Sequence, residues 1–272
     1  MTLKNKFLFL AYLLFLILHS CSEHKEQVAQ ETISAETYQI KYATAFAFTK
    51  SQNGELILEI SDPNNRDLKW KYTLSKDNHD QNIKMLPFSP KSVSALSSTH
   101  IGMMKALDLT NKIAAVSSKS YWCEAIKNEK TMLQNIYEIG DGGEHNVEQF
   151  LAAKTDLVIH SGFDPSSPIF KKLNQANIPV LINYDWKETH PLGRAEWIKV
   201  FGFIYGMEEE ANAVFNQIEA AYLYAKENAA KKKSTYTVLV GTMYGDIFNA
   251  PAGESYMAQM LNDAGAIYVY NQ

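Results

Sequence analysis

Between Asn183 and Gly202 the chain reads NYDWKETHPLGRAEWIKVFG, and Tyr184, Asp185, Trp186, His190 and Arg194 place two aromatic rings, a carboxylate, an imidazole and a guanidinium in one short stretch. Such a set suits an amphipathic ligand, because rings give large rigid contact area and a guanidinium pairs an anionic group through two parallel N–H bonds. Similar residues follow the other short apolar runs. Ser97, Ser98, Thr99 and His100 come after SVSAL, and Ser118, Lys119, Tyr121 and Trp122 after IAAV. His160, Ser161, Gly162 and Phe163 end DLVI, and Thr242, Met243 and Tyr244 follow TVLV. If the runs are parallel strands, their carboxyl ends face a common crevice in which small ligands bind. The candidate ligand contacts are therefore Ser98, Thr99, His100, Lys119, Tyr121, Trp122, Gly162, Phe163, Tyr184, Asp185, Trp186, His190, Arg194 and Tyr244.

Competing roles exist for several of them. Trp197 lies on an apolar helical stripe and belongs to a core. Arg194 has Asp185 and Glu196 as scaffold partners. Trp122 and Trp186 have no stripe and can wall a cleft or pack locally. His100, His160 and His190 raise direct binding of a bare transition-metal ion, but no H-x-x-x-H helix pair or carboxylate partner supports it. The sequence also lacks a G-x-S-x-G elbow, a Walker loop and H-E-x-x-H, and GDGGEH does not have dinucleotide-fingerprint spacing. A binding protein is expected rather than an enzyme, with no catalytic residue, metal ligand or resident cofactor. The alternative from another class is an α/β enzyme using His100 or His190 as general base.

These residues need elements to hold them. The chain has 272 residues, 46% hydrophobic and 21% charged, enough for a globular protein of more than one domain. Its formal charge of −4 argues against a nucleic-acid partner, since only Lys231 to Lys233 form a basic run, which suits a helix end. Residues 1–21 read as a lipoprotein signal: Lys4 and Lys6, an apolar segment from Phe7 to Leu18 too short to span a bilayer, then Ser20 and Cys21 as the lipidation site. Loss of the two lysines brings the mature charge to about −6. Residues 22–37 have no apolar period and form a flexible tether. Cys123 is then left unpaired and reads as a packed thiol.

Residues 38–87 alternate apolar and polar with turns at QNG and DPNN, which predicts a small antiparallel β ribbon. Residues 88–207 alternate short strands with helices, which predicts a parallel sheet with helices on both faces, a Rossmann-like three-layer α/β lobe. An amphipathic helix starts near Ala195 and stops at Gly206. Residues 208–233 form one long helix with Ala211, Val214, Phe215, Ile218 and Tyr222 on one stripe, about 37 Å in length. Residues 234–272 start a second α/β unit.

In these blocks the sequence resembles the substrate-binding lipoproteins of ABC importers for iron-siderophore complexes and cobalamin. The resemblance runs from VSALSSTHIGMMKALD through VSSKSYWCEA, GDGGEHNVEQFLAAKTDLVI and PLGRAEWIKVFG to AGESYMAQMLNDAGA. It implies two lobes bridged by the long helix, a monomer tethered by lipid on the periplasm-facing side of a membrane, and a ferric siderophore, haem or cobalamin held between the lobes. It implies docking on the ABC permease through one acidic side chain per lobe, at Glu148 and Glu254. Asn146 as an N-cap offers Glu148 a purely structural role as well. Family members continue well past the position of Gln272, so the second lobe is expected to be incomplete.

Overall fold

The computed structural model describes residues 38–51, 53–76, 80–121, 135–140, 146–162, 164, 167–232 and 236–271, with Tyr121 as backbone only. Residues 1–37, where the signal segment, Cys21 and the tether are expected, together with Trp122, Cys123 and Phe163 lie outside the described residues.

The first sheet opens with β1 (Phe46–Lys50), β2 (Leu56–Asp62) and β3 (Asn65–Thr73), an antiparallel meander in which Phe46 faces Ile60 and Leu58 faces Tyr72. Side chains alternate across a strand, so these four share one face, and all four are buried. A register shift at Ser61/Asp62 ends β2, and Asp62 Oδ1 accepts the Asn64 N–H at 2.9 Å to close the turn. The sheet has a fourth strand: β4 (Ile83–Met85) pairs parallel to β3. The ribbon is thus mixed rather than purely antiparallel, and three residues are too few for an alternating pattern to have announced the strand.

Next come β5 (Val93–Ala95), α1 (Ser98–Ala106), β6 (Ile113–Val116), β7 (Tyr137–Glu138), α2 (Val147–Ala152), β8 (Leu157–His160), α3 (Pro168–Gln175) and β9 (Val180–Ile182). Their strands form one parallel sheet in the order β7-β6-β5-β8-β9. Val93, Ala95, Leu157, Val158 and Ile159 are wholly buried, as expected of strands covered on both faces. One core joins this sheet to the N-terminal sheet, α1 and the helices that follow β9, while a second cluster around Phe150, Ile169 and Leu173 packs under α2 and α3. The result is a layered α/β lobe.

At the edge strand β9, the Ile182 N–H donates to the Tyr72 hydroxyl of the N-terminal sheet at 3.2 Å. The ribbon therefore caps an edge that would otherwise be open to pairing.

After β9 a 3₁₀ turn (Asp185–Lys187) leads to α4 (Pro191–Glu196) and α5 (Ile198–Tyr205). Helix begins at Pro191, earlier than Ala195, because proline suits the first helical position and the His190 ring caps the Leu192 N–H at 3.1 Å. Trp197 joins the two helices and is fully buried in the core. Gly206 ends α5 in the left-handed region, φ 63°, which favours glycine. The long helix α6 (Glu208–Lys231) has 24 residues, but only Ala211 and Phe215 are buried; Ile218, farther along the expected stripe, is 40% exposed.

The last unit holds β10 (Thr237–Val238), a hairpin of β11 (Thr242–Tyr244) and β12 (Ile247–Asn249), α7 (Tyr256–Asp263) and β13 (Ile267–Tyr268). β10 and β13 pair in parallel around α7. Asp263 fixes α7 to α6 by accepting from Tyr222 at 2.7 Å and pairing Lys226 at 3.0 Å. Among the described residues no helix is long and apolar enough to cross a membrane.

Candidate functional site

From β5 the chain moves through β6 to β7 on one side, and then returns to β8 and β9 on the other. The direction of winding reverses beside β5, and loops leaving a sheet in opposite directions open a crevice at that point. The residues after β5, β6 and β8 border it.

Ser97 caps α1, its hydroxyl accepting from Thr99 N at 3.3 Å. His100, one residue on, is fully buried. Its ring lies beside the Ile159 carbonyl, yet neither nitrogen completes an aligned hydrogen bond. Burial, with His160 nearby, pushes its pKa down to about 3, so the ring is neutral. His160 ends β8; its Nδ1 accepts from Gly162 N at 2.9 Å and its ring meets Phe170 edge-on at 4.7 Å. Gly162 has φ 62°, and a Cβ there would lie 2.6 Å from a Tyr184 ring carbon. That close approach explains a glycine at this loop.

Alternate residues beyond β9 point in different directions. Tyr184 is fully buried, packed at 5.5 Å against Trp70 of the N-terminal sheet, with its hydroxyl toward Asp62. Asp185 is buried on the other side, near Thr99 and 3.9 Å from the Arg194 guanidinium. Burial raises its pKa, and Thr99 and Arg194 offset this only in part. Arg194 in turn lies 4.1 Å over the Tyr256 ring of α7, a cation–π contact linking α4 to the last unit. Trp186 is half-buried, and its Nε1 donates to Ser161 O at 2.7 Å. His190 stacks on Tyr42 at 5.0 Å; burial lowers its pKa although Asp263 and Glu188 act to raise it.

The structure thus gathers Ser98, Thr99, His100, Gly162, Tyr184, Asp185, Trp186 and Arg194 around the exits of β5, β8 and β9. Tyr184, Asp185 and His100 lie beneath the surface of this group, and Trp186 and Arg194 reach farther out. Lys119 is half-buried at the β6 exit, its N–H donating to Glu138 at 3.3 Å. Tyr244 stands 83% exposed on β11. Glu148 is exposed in the first turn of α2, its N–H capped by Asn146, and Glu254 is exposed just before α7. Among the described residues no three His, Cys, Asp or Glu side chains gather as a metal site.

Sequence reasoning missed the part played by two carboxylates, Glu188 and Glu196, in fixing the helices that carry the site residues. Glu188 accepts from the backbone N–H groups of Thr44 and Ala45 and from Trp197 Nε1. Glu196 accepts from those of Lys41, Tyr42 and Ala43 and pairs Lys199 at 2.8 Å. Five consecutive amides thereby bind two buried carboxylates, and the segment before β1 is clasped to the helices beyond β9. Glu196 is taken up by this clasp, so Arg194 is left with Asp185. Lys187 was also missed: it pairs Asp62 of the N-terminal sheet at 2.7 Å.

A family model described as periplasmic binding protein matches residues 93–272. An uncharacterized lipoprotein of Methanocaldococcus jannaschii is 23% identical over 238 residues, covering 76% of this chain and 55% of that protein. A second uncharacterized protein of the same organism is 25% identical over 134 residues, covering 47% of this chain and 40% of its own length. The chain spans about half the length of the curated relatives it matches. Among solved structures, the periplasmic heme-binding protein RhuT from Roseiflexus sp. RS-1 matches with TM-score 0.51 and 17% identity, over 65% of each chain. The periplasmic vitamin B12 binding protein BtuF of Vibrio cholerae matches with TM-score 0.50 and 15% identity, over 68% of each chain. At such identities the likeness is one of fold.

Proposed function

We propose that this chain, which belongs to the periplasmic binding protein family, captures a bulky metal chelate in the cell envelope and delivers it to an ABC permease. The cargo is a ferric siderophore, haem or a cobalamin. The observation that supports this reading is the winding reversal beside β5, near which hydrogen-bonding groups and the half-buried Trp186 follow the strand ends. A flat or greasy chelate is held there by ring contact, and Arg194 orients it. Lys119, Tyr121, Trp122, Phe163, His190 and Tyr244 complete the proposed set of contacts.

Cys21 carries the lipid and residues 22–37 give the tether its reach. The chain acts as a monomer, without turnover, in two lobes: residues 88–207 bind, residues 208–233 bridge, and residues 234–272 contribute to the far side. Glu148 and Glu254 are exposed and suited to pair basic residues of a permease, where charge complementarity sets orientation and encounter rate. The names of the structural neighbours, which include heme and vitamin B12 binders, favour this cargo class. Titration with a ferric siderophore, haem and cobalamin, followed by tryptophan emission and calorimetry, tests it. Saturable one-to-one binding of one of them without product formation is expected, and no binding of any would overturn the reading.

A further inference from the structure

Among the described residues the N-terminal sheet makes one buried ionic contact with the lobe, and that contact lies beside the aromatic residues after β9. Lys187 Nζ donates to both oxygens of Asp62, at 2.8 and 2.7 Å, with the two side chains 11% and 8% exposed. The same ammonium sits 4.5 Å from the centroid of the Tyr184 ring and 5.1 Å from that of Trp186. A buried ammonium requires its anion, and aromatic faces alone supply far less stabilisation than the desolvation costs. Asp62 therefore decides where the Lys187 charge rests, and the charge in turn sits against both rings.

Asp62 is itself held in place. It ends β2 at the register shift, and its Oδ1 also accepts the Asn64 N–H at 2.9 Å. Burial alone would raise its pKa, but Lys187 and the turn amides outweigh that and hold it below the usual carboxylate range, so the charge is present at neutral pH. The two rings have other fixed contacts as well. Trp186 Nε1 donates to Ser161 O, and Tyr184 packs on Trp70 and against Gly162. Each ring thus touches the lobe, Trp186 through Ser161 and Tyr184 through Gly162, and each also lies near the Asp62-bound ammonium.

We infer that Asp62 is a positioning residue for the cargo crevice: through Lys187 it sets the orientation of Trp186 and Tyr184, which makes the N-terminal sheet a working part of the binding lobe. The inference rests on the reading of Trp186 as a cargo contact. The test compares wild type with Asp62→Asn, Lys187→Met and the double variant, each shown by circular dichroism to unfold cooperatively. Trp186→Phe assigns the Trp186 component of the emission. In Asp62→Asn, acrylamide quenching of that component is expected to rise at least about two-fold. Affinity for whichever of haem, cobalamin or a ferric siderophore binds is expected to fall about ten-fold in each single variant and no further in the double.

A merely structural staple would lower the unfolding midpoint and leave both readouts at wild-type values, and that result overturns the inference. Losses that multiply in the double variant overturn it too. If Asp62→Asn does not fold, Lys187→Met, which leaves the turn at Asn64 intact, decides the same question. A wild type that binds no chelate would remove the receptor reading alone, since Trp186 quenching still decides whether Asp62 positions the ring.

Discussion

Replacing Glu196 with alanine should destabilise the protein more than any other single loss of charge in the clasp. The carboxylate is fully buried and accepts from Lys41 N at 2.9 Å, Tyr42 N at 2.7 Å and Ala43 N at 2.9 Å, besides its pair with Lys199 at 2.8 Å. Lys199 is 6% exposed; without Glu196 it keeps the Gln39 carbonyl at 2.8 Å, the face of Phe215 at 4.7 Å and the more distant charge of Glu219. An uncompensated buried charge typically costs about 3–5 kcal/mol. Three amides deprived of their acceptor would add about 1–3 kcal/mol each if they stayed dry. Residues 38–45 can instead lift away and rehydrate, which limits the total to about 4 kcal/mol. For a chain of this size that is a fall in melting temperature of roughly 10 °C.

Glu219→Ala is the matched control. It pairs Lys41, which is 45% exposed, and accepts from the Tyr42 hydroxyl at 2.8 Å, so its loss costs about 1–2 kcal/mol, well below that of Glu196. Urea unfolding at neutral pH measures both, and amide exchange of residues 41–45 should speed up in Glu196→Ala before global unfolding. Equal midpoints for the two variants, or unchanged exchange in the segment, would refute the idea that buried carboxylates hold the chain's entry into the lobe.

Gly162→Ala should cost more than about 1 kcal/mol, because alanine is strained at φ 62° and its Cβ would displace the Tyr184 ring; a urea midpoint equal to wild type would contradict this. His100 has its pKa lowered to about 3 in the fold, so the unfolded chain binds an extra proton between its ordinary value and pH 3, and stability falls as pH drops through that window. His100→Leu should remove on the order of 3 kcal/mol of the wild-type loss between pH 7 and pH 4, and identical pH slopes for the two proteins would show that His100 is not buried neutral. Glu148→Ala and Glu254→Ala should leave chelate affinity unchanged and each weaken permease-dependent uptake, and uptake at the wild-type level in the double variant would remove both from docking.

How much of this was readable from sequence depended on the range of each interaction. Four of the five parallel strands were legible because runs such as VSA, IAAV and LVIH are largely buried and so read as short apolar runs bounded by helical segments, whereas β7 has two exposed residues and left no such run. Trp197 was legible for the same reason: its stripe carried the burial. The start of α4 was missed because the imidazole of His190 acts as the cap, a task more often given to serine or aspartate. The clasp and the Asp62–Lys187 pair join residues more than a hundred positions apart, and such contacts leave no local periodicity. Of the residues proposed for the crevice, strand ends could be picked out, but which of them lie beneath its surface could not. Tyr184 and Asp185 are neighbours that turn to opposite sides, and only packing against Trp70 and Thr99 decides that.

Hydrogen-exchange footprinting of the protein with haem, cobalamin and a ferric siderophore tests the central claim most directly. The account predicts that one of these slows exchange at residues 97–100, 117–121, 160–162 and 184–194 together, and leaves strands β1 and β2 as they were. Protection confined to other surfaces, or none with any of the three, would contradict it.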